Sequence, residues 1–167
     1  TYQYCEDIFK KVTVLPDGKN HGLVFILDWS GSMSTIMKDT IKQLYNLIWF
    51  CRKVQIPFEV YAFTNGYPYH GNESRYTAKD NMICVEDSFA LMSLFSSKVN
   101  VRTLDHQMRN IYRIATRFGY YHVSWDERDR FQVPVGMNLS GTPLDESLIC
   151  LHQIIPQFKK DNKVEKV

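Results

Sequence analysis

The sequence predicts an α/β domain with a mostly parallel sheet flanked by helices on both faces, three layers in all. Residues 22–28 form an apolar run without polar alternation, as in a central parallel strand covered by helices on either side. A strand, a helix and a second strand follow one another within about 40 residues, the pattern of a right-handed parallel crossover. Three apolar stripes step by 4, 3, 4, 3, each describing one helical face.

Residues 4–12 read as a short lead-in helix, and "LPDGKNHG" (15–22) as a turn marked by Pro, Asp-Gly and Asn. The strand at 22–28 comes next. A helix is expected from about Ser34 to Val54, with Met37, Ile41, Leu44, Ile48 and Cys51 on its inner stripe. "IPFEVYAFTN" (56–65) reads as the second strand, with Pro57 tolerable at its start. Residues 65–81 are polar and aperiodic, an exposed excursion. "MICVED" (82–87) suits a short strand and "SFALMSLFSSK" (88–98) a helix. Leu104, Met108, Ile111, Ala115 and Phe118 place a helix at 103–118, with Gly119 as its C-cap. Residues 120–141 form a second irregular stretch.

The last helix is expected to open with Thr142 as N-cap, Pro143 as first helical residue, and Asp145 and Glu146 at the positive end of its dipole. Leu144, Leu148, Leu151, Ile155 and Phe158 make its stripe, and Pro156 should kink or end it. "NKVEKV" reads as the opening of another strand, so the chain is expected to continue past Val167. There is no internal repeat.

With 167 residues, 44% hydrophobic, the chain can bury one core. Lys plus Arg is 20 and Asp plus Glu is 18, a balance that argues against nucleic acid or an anionic membrane as partner. No apolar stretch reaches the roughly 20 residues of a membrane helix, and "TYQYCEDIFKK" is no signal peptide. Cys5, Cys51, Cys84 and Cys150 lack metal or redox spacing and read as buried hydrophobes of a reducing cytoplasm.

The chemistry concentrates in "LVFILDWSGSMS", where the first strand runs into Asp28-Trp29-Ser30-Gly31-Ser32. In open α/β sheets, ligands sit beyond the carboxyl ends of the strands. Asp28 is on that rim, and Gly31 permits a tight turn between two hydroxyls. One carboxylate and two neutral hydroxyls form a hard oxygen set that suits Mg²⁺ or Mn²⁺ and leaves positions open for water and an outside ligand. The bland reading of these residues is a helix cap. Trp29 is either a contact residue on the rim or a packing residue, and Ser34 shares that rim. Nucleophilic and phosphate-loop readings fail, since there is no G-x-S-x-G and no G-x-x-x-x-G-K. The five histidines are scattered.

Asp-x-Ser-x-Ser at a strand-to-helix junction, followed by "SGTPLDESL", resembles the metal-ion-dependent adhesion site of von Willebrand factor A (VWA) domains. The resemblance covers about residues 20–167. It implies a Rossmann-like, three-layer fold, with Asp28, Ser30, Ser32 and Thr142 as ligands of Mg²⁺ or Mn²⁺. It also implies a protein partner that offers a carboxylate near Trp29 and Ser34. Residues of about 65–137 would then be an insertion with its own helices. That pattern is closest to the cobalt chelatase VWA subunit and to VWA proteins of large tailed bacteriophages, which implies an adaptor for a MoxR-like AAA+ ATPase. The family's late metal-site aspartate has no counterpart before Val167. Either the protein continues or a partner completes it. The alternatives are a chelatase subunit and a metal-assisted hydrolase.

Overall fold

A computed structural model of the chain describes residues 20–66, 80, 87–118 and 133–167. The expected lead-in helix at 4–12 and the C-cap at Gly119 lie outside these residues, as do most of the polar excursion, of "MICVED" and of the stretch 120–141. The described elements are β1 (Leu23–Asp28), α1 (Met37–Lys53), β2 (Phe58–Thr64), β3 (Ala90–Ser96), α2 (Val101–Phe118) and α3 (Leu144–Asn162). They make an α/β structure with a three-stranded sheet in the order β1-β2-β3.

β1 and β2 are parallel, as the crossover predicts, with Leu23 opposite Phe58 and Asp28 opposite Phe63. α1 buries all five residues of its expected stripe, and α2 buries Leu104, Met108, Ile111 and Ala115. Both helices pack on Phe58, Val60 and Ala62, the alternate residues that β2 turns to one side. Tyr45 of α1 donates its hydroxyl to the Met108 carbonyl of α2, and burial pushes the Tyr45 phenol well above its usual range.

Four expectations are corrected. Residues 88–98 are not a helix: they contain β3, which runs antiparallel to β2 and makes the sheet mixed. Its register slips between Val60 and Tyr61, leaving Leu94 as an extra residue. Phe95 pairs with Val60 and Met92 with Ala62 on the core face. With Phe89, also buried, these apolar residues step by three, so the bulge disguises a strand as a helix.

β1 does not lie at the centre of the described sheet but at its edge, and most of its side chains are only half-buried. The 4, 3, 4, 3 stripe of α3 is buried only at its far end: Phe158 turns inward, as does Ser147 from outside the stripe, but Leu144 and Leu148 are 45% and 50% exposed. The Phe158 ring occupies the space over Gly22, where a Cβ would come within 2.4 Å of it.

Finally, α3 does not end at Pro156. It runs on to Asn162, and Lys163 closes it in the left-handed conformation. Pro156 has no N–H for the His152 carbonyl, a defect that costs up to about 3 kcal/mol in a helix interior. Pro156→Ala is therefore expected to raise stability by about 1–3 kcal/mol, read as a higher urea midpoint by circular dichroism. A lower midpoint would show that the ring's packing outweighs the missing bond. Beyond the helix, Lys166 makes a parallel bridge to His21, the one strand-like contact of the final residues. Among the described residues, no helix is long and apolar enough to cross a membrane.

Candidate functional site

Because β1 and β2 are parallel, their carboxyl ends share one rim. The chain leaving β1 is pinned there at once. The Trp29 N–H donates to the Phe63 carbonyl at 3.2 Å. The Trp29 side chain turns inward: it is fully buried, its Nε1 donates to the Met137 carbonyl at 2.8 Å, and its ring meets Phe118 edge-on at 5.7 Å. Of the two readings of Trp29, packing is the one the structure bears. As a rim contact it is corrected, because no surface of it is left for a partner to touch.

The next residues meet a segment distant in sequence. Ser30 and Ser140 form a parallel bridge, with the Gly31 N–H donating to the Ser140 carbonyl at 2.7 Å and the Ser140 N–H to the Trp29 carbonyl at 3.4 Å. One residue on, the Gly141 N–H donates to Asn65 Oδ1, at the end of β2, at 2.6 Å. A Cβ on Gly141 would stand 2.7 Å from the Asn65 amide nitrogen, so glycine permits this approach. The segment leading to Thr142 is thus laid across the ends of both parallel strands.

None of the oxygen-bearing residues caps a helix. Residues Gly31–Met33 form a 3-10 turn whose N-cap, Ser30, makes no side-chain capping bond, and the N-cap of α1 is Ile36, whose side chain has no acceptor to offer. Ser30 and Ser32 instead share a hydrogen bond at 2.9 Å between their hydroxyls. Ser30 is buried and Ser32 exposed. Ser34 is half-buried and donates its N–H to the Gly31 carbonyl at 3.2 Å. The expected cap at Thr142 is also corrected: Pro143 occupies the N-cap position of α3 without a side-chain bond. Thr142 gives only its carbonyl, to the Leu144 N–H at 2.8 Å. Proline's ring fixes the backbone at this position and carries no hydroxyl to bend back onto the helix.

Asp28 ends β1, and its Oδ1 is buried with no hydrogen-bond partner among the described residues. A buried carboxylate oxygen left unpaired is costly, and in native proteins it calls for a counter-charge. At the start of α3, Thr142, Asn65, Asp145 and Glu146 line an open pocket of about 370 Å³. Among the described residues, no three His, Cys, Asp or Glu side chains gather as a metal cluster. The hydroxyls of Ser30 and Ser32, paired with each other, follow Asp28 by two and four residues. Sequence reasoning missed Asn65 and Ser140, which tie the loops together; only the glycines beside them, Gly66 and Gly141, hinted at close backbone approach. Comparison of the chain with models of known families, with curated proteins and with solved structures gives no match in any of the three.

Proposed function

We propose that this rim is a metal-dependent protein-interaction site in a three-layer fold of the VWA type. Asp28 supplies the one charged donor, and Ser30, Ser32 and Thr142 supply neutral hydroxyls, a set of hard oxygens suited to Mg²⁺ or Mn²⁺. A divalent ion held there would act as a Lewis acid toward a carboxylate from a partner protein. The observation that carries this reading is the unpartnered, buried Oδ1 of Asp28 next to paired hydroxyls that cap nothing. With a single protein carboxylate, the site keeps most of the ion's charge for an incoming anion. Ser34, on the same rim, is a candidate partner contact. The partner we favour is an AAA+ ATPase of the MoxR kind, for which this chain would be an adaptor.

Thr142 is the test, because it reaches the rim from the far segment. Thr142→Ala is expected to lower Mn²⁺ affinity about tenfold, roughly 1.4 kcal/mol, measured by isothermal titration. Acetate, as a probe carboxylate, should tighten Mn²⁺ binding in the wild type. An unchanged Mn²⁺ isotherm in Thr142→Ala, or a wild type that binds no Mn²⁺, overturns the reading.

A further inference from the structure

A second polar site lies away from this rim. β2 turns Phe58, Val60 and Ala62 toward α1 and α2, so the alternate residues Glu59 and Tyr61 face the other way. There, between β2 and α3, is a cavity of about 250 Å³ whose lining includes Glu59, Tyr61, Lys98, Ile154, Phe158 and Asp161. Glu59 is only 9% exposed. Its Oε1 accepts a hydrogen bond from the Ser96 hydroxyl at 2.8 Å, and Ser96 is the one donor the described residues give it. The single ammonium of the lining, Lys98, is engaged by Asp161 at 3.0 Å, and the Gln157 amide also holds Asp161. The Lys98 and Asp161 side chains are 53% and 35% exposed, so this pair marks the solvent side and Glu59 the inner end.

The lining therefore holds two carboxylates against one ammonium. The carboxylate left in excess is the buried one, where an unmatched charge is most costly. One positive charge restores the balance, which suits a monovalent head and not a divalent metal ion. Ile154 and Phe158 add an apolar wall, and the volume is below the roughly 300–1,000 Å³ of drug-sized pockets. We propose that this cavity binds a small organic cation, a primary alkylammonium or guanidinium group on a short hydrocarbon stem. The charged head pairs with Glu59, Tyr61 offers its hydroxyl as a further acceptor, and the stem lies against Ile154 and Phe158.

The test titrates n-butylamine and n-butylguanidine into the protein, with n-butanol as the uncharged control, and follows saturation-transfer NMR and the melting temperature. The wild type is expected to bind both cations saturably and to ignore the alcohol. Glu59→Gln should weaken binding at least about tenfold. Ile154→Trp, which fills the cavity and keeps the carboxylate, should also abolish it, and this variant decides the matter if Glu59→Gln does not fold. Lys98→Met, which makes the lining more negative, should tighten amine binding. No saturable binding by the wild type at tens of millimolar, or binding that survives both Glu59→Gln and Ile154→Trp, overturns the proposal. Binding seen only in Lys98→Met overturns it as well, since Lys98 would then be the counter-ion of Glu59.

Discussion

Asp28→Asn is expected to reverse the stability order of wild type and variant when metal is added. Without metal, the wild type bears the cost of a buried carboxylate oxygen that accepts no hydrogen bond. Asparagine keeps the shape and removes the charge, so the variant should be more stable in chelator by about 1–3 kcal/mol. With Mn²⁺ at a hundred times its dissociation constant, the wild type gains about 2.7 kcal/mol by mass action. The variant, deprived of the one charged donor, should gain almost nothing. Thermal melts in EDTA and in Mn²⁺ would show the crossing, and capture of the partner in Mn²⁺ should be lost in the variant. If Asp28→Asn is markedly less stable in EDTA, the carboxylate has a structural partner and the metal reading loses its main support.

How far this was legible differs between elements. α1 and α2 were readable because their stripes meet apolar β2, and one helical face facing one apolar strand leaves a single solution. β3 was misread because the register slip at Val60/Tyr61 replaces the period of two with steps of three. The stripe of α3 was misjudged for another reason. Periodicity identifies a face that gains from burial, but not which neighbour covers it. Here Phe158 and Ser147 turn inward, and Leu144 and Leu148 stay exposed.

β1 shows the same limit. Its apolar run suits a strand with neighbours on both sides, yet within the described sheet it pairs only with β2. At the candidate site, Asp28, Ser30 and Ser32 were visible because they are contiguous. The ties that bring the Thr142 segment onto the same rim, from Ser140 to Gly31 and from Asn65 to Gly141, span 109 and 76 positions and leave no local pattern.

The largest loss of stability is expected at Trp29, and it separates packing from recognition. Trp29 is fully buried, meets Phe118 edge-on and donates Nε1–H to the Met137 carbonyl. Trp29→Ala removes the ring and leaves a cavity, at a cost of about 3–5 kcal/mol. Domains are commonly stable by only about 5–15 kcal/mol, so much of the population should unfold well below the wild-type melting temperature. Trp29→Phe is more informative. It keeps an aromatic ring in the core but leaves the Met137 carbonyl without its donor, at a cost of about 1–3 kcal/mol. Met137 lies three residues before Ser140, so this bond also helps to hold the Thr142 segment across the strand ends. At a temperature where Trp29→Phe is fully folded, Mn²⁺ affinity should still fall, while acetate should still tighten whatever Mn²⁺ binding remains. A partner contact at Trp29 would produce the opposite pattern: wild-type stability and wild-type Mn²⁺ affinity, with partner capture alone lost. Chemical denaturation of both variants, alongside Mn²⁺ titration of Trp29→Phe, decides between the two.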